Sequence, residues 1–159
     1  MPATDSPAPA ASPQWYETVV MPALLRAARK GYGSAIRTAL AQAGCDDMPR
    51  NGQFVVGAIA RSGTQLSEII TSLGLSKQRA GQLVDALVDR GYLERALDPD
   101  DRRRMTVTLT ERGQVAANAG RKAVERVDAT LVDRVGAETV EHARIALGAL
   151  TELADEAAG

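Results

Sequence analysis

The sequence predicts a mainly α-helical chain that carries one small β-hairpin. Three observations predict it. Apolar residues recur at steps of three and four over most of the 159 residues, the period of a helix face. Only YLERAL (92–97) and MTVTLT (105–110) suggest strands, the second by strict alternation, and they flank the polar turn DPDDRRR (98–104). Aromatic residues make up 3% of the chain, so its core must rest on Leu, Val, Ile and Ala, which suits helix packing better than stacked sheets.

Residues 1–14 are rich in Pro, Ala and Ser and read as a disordered arm. They lack the basic start and apolar middle of a secretory signal. A first helix is expected within 15–48, with Leu24, Leu25, Ala28, Tyr32, Ile36 and Leu40 on one face and Gly44 at its end. Pro22 fits either a first turn behind an extended lead-in or a kink in a longer helix. QFVVGAIARSG predicts a short second helix with Phe54, Ala58 and Ile59 inward, and a third runs from Leu66 through Ile69 and Ile70 to Leu73. Gly74 stops that helix, and Ser76 is an N-cap residue for the next, which buries Ala80, Leu83, Val84 and Leu87 and ends at Gly91. In the second strand Met105, Val107 and Leu109 point one way, and Thr106 and Thr108 the other. Thr110 caps a helix carrying Val115, Ala119, Val127, Leu131 and Val135 to Gly136, and a last helix shows Val140, Ala143, Leu147, Leu150 and Ala154 as a narrow apolar stripe.

Short helix, tight turn, helix and hairpin, in that order, make a winged helix-turn-helix over 49–112, in which the second helix of the pair lies in a DNA major groove. The last segment, 113–159, is assigned to dimerisation, because a lone terminal helix in so small a chain needs a partner for its stripe. With Ala80, Leu83, Val84 and Leu87 inward, Gln78, Gln82 and Asp85 face outward, and Lys77, Arg79 and Gly81 flank them. Glutamine can bond both N6 and N7 of adenine, and Ser76, Lys77 and Arg79 suit phosphate or guanine. Asp85 and Asp89 would repel phosphate, which confines contact to the first two turns. At the wing, Arg103 is the candidate for minor-groove insertion, oriented by Asp101, with Arg102 and Arg104 on flanking phosphates.

The stretch from LSEIITSLGLSKQRAGQLVDALVDRG through YLER and DPDDRRR to the LT and RG that open the next helix resembles the core of MarR-type (multiple-antibiotic-resistance regulator) transcription factors. The D-x-R element falls on Asp101 and Arg103, and the L-T on Leu109 and Thr110. The resemblance implies a homodimeric bacterial regulator whose terminal helices intertwine. It also implies a partner operator in double-stranded DNA and a small aromatic or apolar effector held between the dimer region and the winged helix. A crevice between the first, second and post-hairpin helices is the expected place, with Tyr32 and Phe54 facing it and Arg29 able to hold a carboxylate. Peroxide-sensing members carry a cysteine near the start of the first helix; Cys45 lies beyond it in a loop, so thiol sensing is not carried over.

The formal net charge is −1, so any nucleic-acid role must come from local clusters. One cysteine allows no internal disulfide and fits a cytoplasmic protein. No apolar run approaches the roughly 18 residues of a membrane span. The single histidine, His142, makes a poor metal site, and GYGSA (31–35) lacks the third glycine and preceding strand of a nucleotide loop. No nucleophile–base pair is present, so neither enzyme activity nor a cofactor is expected. The alternative is a winged-helix module that binds protein instead of DNA.

Overall fold

The computed structural model describes residues 15–62, 73–97 and 105–156. A 3-10 turn at Trp15–Thr18 leads into α1 (Met21–Gln42), and α2 (Gly52–Ser62) follows. Then come α3 (Lys77–Asp89), β1 (Leu93–Leu97), β2 (Met105–Leu109), α4 (Glu111–Val135) and α5 (Ala137–Glu156). Of the alternatives for Pro22, the first-turn position is the one adopted, with Val20 extended before it. There its missing N–H leaves no hydrogen bond unmade. The arm 1–14 and the expected helix at 66–72, with Leu66, Ile69 and Ile70, lie outside the described residues, as do the side chains of Met105 and Ala154.

Helices α1 and α2 both pack against α4. The core between them joins Ile36 and Leu40 of α1, Val55 and Val56 of α2, and Leu87 of α3 to Tyr92, Leu93 and the small α4 residues Ala116, Ala117 and Ala123. Alanine on α4 lets neighbouring helix backbones approach closely. The approach is tightest at Gly113, where a Cβ would come within 2.0 Å of the Tyr92 carbonyl oxygen. Thr110 caps this end of α4, accepting from the Gly113 N–H at 3.0 Å while donating to the Gly91 carbonyl at 2.5 Å. The two strands pair antiparallel, Leu93 opposite Leu109 and Leu97 opposite Met105.

Two apolar faces differ from the expected ones. On α2 the inward residues are Gly52, Val55 and Val56, with Ile59 half-buried, while Phe54 is 39% exposed. The spacing 52, 55, 56, 59 is a complete helix stripe, and Phe54 falls about 100° round from Val55, at its edge. On α4 the buried face is Gly113, Ala116, Ala117 and Ala123, and the larger Val115, Leu131 and Val135 are exposed. On α5 Val140 is buried, and Leu147 and Leu150 face outward. Cys45 lies in the loop after α1, as expected, with its side chain in the core, 1% exposed.

Polar contacts hold the last helix to the first. The Tyr32 hydroxyl donates to Asp128 of α4, whose other oxygen accepts from Arg144 of α5 at 3.3 Å. The bond to Asp128, and then partial burial, raise the Tyr32 pKa above its ordinary value.

Candidate nucleic-acid interface

The loop before α3 turns at Gly74, whose φ of +61° suits glycine, and Ser76 then adopts an extended N-cap conformation. Its side-chain oxygen accepts from the Arg79 N–H at 3.4 Å. Ala80, Leu83, Val84 and Leu87 are buried, as their spacing predicts. That leaves Ser76, Lys77, Gln78, Arg79 and Gln82 all exposed along the first two turns. Gln78 and Gln82 form a polar strip opposite the buried side of the helix, and Lys77 and Arg79 flank it. Gly81 is also exposed, and among the described residues nothing beyond its own helix lies within 4 Å of the position a Cβ would take.

Asp85, expected only to repel phosphate, has a partner that local spacing could not announce. Arg95 of β1 reaches it at 2.5 Å, with both side chains more than half exposed. The pair is worth at most about 1 kcal/mol in water, yet it cancels the carboxylate charge beside the strip. It also ties α3 to the hairpin. No periodicity relates positions ten apart on a helix and a strand, so only the fold brings them together.

Asp101, Arg102, Arg103 and Arg104 lie outside the described residues. The strands that flank them have the antiparallel register of a wing, and Glu94 and Thr108 face each other across it.

The expected single crevice is two clefts, with Phe54 and Ile36 on the walls of both. The first, about 830 Å³, runs between α1, the 45–51 loop and the start of α2. Arg29, Tyr32 and Phe54 all line it, so the structure brings the three expected residues to one place. Arg29 lies over the Phe54 ring, 6.0 Å from its centroid, the outer limit of a cation–π contact. Sequence reasoning missed the other cations on this wall, among them Arg26, Lys30, Arg37 and Arg50; Asp46 is the acidic residue among its lining. The stripe 26, 29/30, 33, 37 was legible at helical spacing, but not that the wall had an opposite side. The second cleft, about 400 Å³, lies between α2 and α4, and Ala58, Leu73, Ala117 and Val124 contribute to its lining. Among the described residues no group of three or more His, Cys, Asp or Glu side chains could hold a metal, and no helix is long and apolar enough to cross a membrane.

A polar-faced helix behind a tight turn, a two-stranded hairpin and long flanking helices define a winged-helix protein. Residues 49–104 match the model of the MarR family. Over 92 residues the chain is 31% identical to YhbI, an uncharacterized HTH-type transcriptional regulator of Bacillus subtilis strain 168. That match covers 58% of this chain and 60% of the length of the relative. Among solved structures, MepR of S. aureus in its DNA complex superposes with a TM-score of 0.66 at 19% identity, covering 84% of this chain and 98% of MepR. The transcriptional repressor CouR, bound to a 23-mer DNA duplex, gives 0.64 at 23% identity, covering 86% of this chain and 96% of CouR. At such identities these likenesses establish the fold alone: mainly helical with a two-stranded wing.

Proposed function

We propose that the protein is a homodimeric, cytoplasmic, sequence-specific DNA-binding transcriptional regulator, and that it is a repressor released by a small aromatic or apolar effector. The observation that carries DNA binding is the exposed strip of α3. Gln78 and Gln82 lie opposite the buried Ala80, Leu83, Val84 and Leu87, exposed Lys77 and Arg79 flank them, and exposed Ser76 stands at the N-cap. Gln78 and Gln82 read bases in this account, and Ser76, Lys77 and Arg79 hold phosphates or a guanine. Arg103 enters the minor groove, oriented by Asp101, and Arg102 and Arg104 meet flanking phosphates. Two relatives in fold, MepR and CouR, are known in DNA complexes, which supports the same partner here.

The effector reading rests on the larger cleft, where Arg29, Tyr32 and Phe54 converge. The Tyr32 hydroxyl is committed to Asp128, so the ring and not the O–H is what it offers a ligand. Arg29 remains available to a carboxylate.

The test is titration of the protein against duplexes from the region upstream of its own gene. Gln78→Ala and Gln82→Ala are each expected to cost about 1–3 kcal/mol on the preferred site and to relax preference at one base. Arg103→Ala is expected to weaken binding strongly without unfolding the protein. If both glutamine variants keep the wild-type preference, α3 does not read sequence. A panel of phenols and aromatic acids, repeated on Arg29→Ala, tests the cleft; a compound that releases both proteins equally acts elsewhere.

A further inference from the structure

Arg112, in the first turn of α4, joins three segments that are far apart in sequence. Its guanidinium donates to the Arg90 carbonyl at 2.5 Å, at the C-terminal end of α3, and to the Gly44 carbonyl at 3.1 Å, just after α1. It also meets Asp47 through both nitrogens, at 2.9 and 3.3 Å. Its guanidinium carbon lies over the Tyr92 ring, 4.4 Å from the centroid, and the Tyr92 hydroxyl donates to Asp47. The planar fork suits this work: a guanidinium holds several acceptors in fixed directions while stacking on an aromatic face, and an ammonium does not.

The 45–51 loop thus has two faces. Cys45, Asp46, Met48, Pro49 and Arg50 line the larger cleft, while Asp47 turns the other way into the Arg112 fork. The opposite end of the fork is the cap of α3, where Tyr92 N–H closes on the Leu87 carbonyl and Gly91 N–H on that of Val88, both at 2.9 Å. One rigid cluster therefore fixes the end of α3 to the wall of the cleft.

We propose that Asp47, Tyr92 and Arg112 are positioning residues: they clamp the C-terminal end of α3 to the 45–51 loop, and so set the angle at which α3 presents its polar strip. The proposal rests on the reading of α3 as the DNA-contacting helix. The clamp touches none of the strip residues, so its loss leaves their chemistry intact and removes only their fixed direction. Specific binding depends on that direction, whereas attraction to phosphate depends on charge.

The test uses the full chain with Asp47→Asn, Tyr92→Phe, Arg112→Gln and Arg112→Lys. Asp47 and Arg112 are both partly exposed, so the single variants are expected to fold. Hydrogen exchange is read on the DNA-free protein at the Arg90, Gly91 and Tyr92 amides, and binding is read on preferred and scrambled duplexes. Asp47→Asn and Arg112→Gln are expected to speed exchange at those three amides by roughly tenfold, with the α4 core amides unchanged. They are also expected to lose preferred-site affinity while keeping scrambled-site affinity. Arg112→Lys keeps the charge but not the fork and is not expected to rescue; Tyr92→Phe is expected to fall between. Wild-type exchange at the three amides in Asp47→Asn and Arg112→Gln overturns the clamp, whatever the DNA result. Fast exchange with unchanged preference overturns its positioning role. A wild-type protein that prefers no duplex overturns the reading of α3 instead, and the exchange result then decides whether the clamp exists.

Discussion

Leu87 on α3 and Leu147 on α5 are the same side chain on the same kind of element, yet the first is wholly buried and the second is 44% exposed. The difference extends to their surroundings. Around Leu87 the chain closes its own core: Val55, Val56, Tyr92 and Leu93 are each at most 1% exposed, and the polar groups at the edge are paired. Along the end of α4 and down α5 it leaves Leu131, Val132, Val135, Ile145, Leu147, Leu150 and Leu153 in the open. So many large apolar side chains exposed along two consecutive helices are not how a monomer leaves its surface. One region is finished by one chain and the other calls for a second, which is the physical support for the proposed dimer.

The largest expected effect strikes the unfinished region. Leu147→Asp together with Leu150→Asp should give monomers in sedimentation and abolish tight DNA binding, because one helix reads too few bases and two are needed for half-sites about 10 base pairs apart. The same variants should leave the winged-helix core folded, since neither leucine contributes to it. Global unfolding of the double variant would mean that these side chains belong to the core after all.

A change in the finished region should show the opposite pattern. Leu87→Ala is expected to cost about 2–5 kcal/mol in urea unfolding, through lost burial and the cavity left behind. It should not shift the monomer–dimer equilibrium of the protein that stays folded. A cost below about 1 kcal/mol would mean that the site collapses around the smaller side chain.

How much of this contrast was legible in the sequence depends on the distance over which each contact acts. The face of α3 was legible because Ala80, Leu83, Val84 and Leu87 repeat at the helix period within one segment. So were the caps at Ser76 and Thr110, which bind their own backbone three residues on. The face of α2 was misread by one residue because Phe54 is the largest apolar side chain there, and size drew the stripe away from Val55 and Val56. On α4, Val115, Leu131 and Val135 drew it from the alanines that the neighbouring helices require. Asp85–Arg95 and the Arg112 fork were not legible at all. Their partners lie 10, 22, 65 and 68 residues apart, and no local pattern couples them.

A smaller effect sharpens the comparison at the boundary between the two regions. The hydrogen bond from Tyr92, and then those from Arg112, hold the Asp47 carboxyl below its ordinary pKa of 3.8. A carboxyl depressed in the folded state contributes stability that is present above its unfolded pKa and is lost as pH falls through its folded pKa. The gap in urea midpoint between wild type and Asp47→Asn should therefore be constant from about pH 5 to 8 and close below about pH 4. Burial, then the bond to Asp47, raises the Tyr92 pKa, so the contribution of its hydroxyl is full below its unfolded value of 10.0 and is lost only as pH rises through the higher folded one. A gap that stays constant through the acid range would remove Asp47 from the account.

The claim that joins both regions is that two copies of α3, set by a dimer built on the exposed apolar side chains, read one stretch of DNA. Footprinting of the wild-type protein on the region upstream of its own gene tests it most directly. The account predicts two protected half-sites related by a two-fold axis, with centres about 10 base pairs apart on one face of the duplex. A single protected half-site bound by a monomer, or uniform protection without sequence preference, would contradict it.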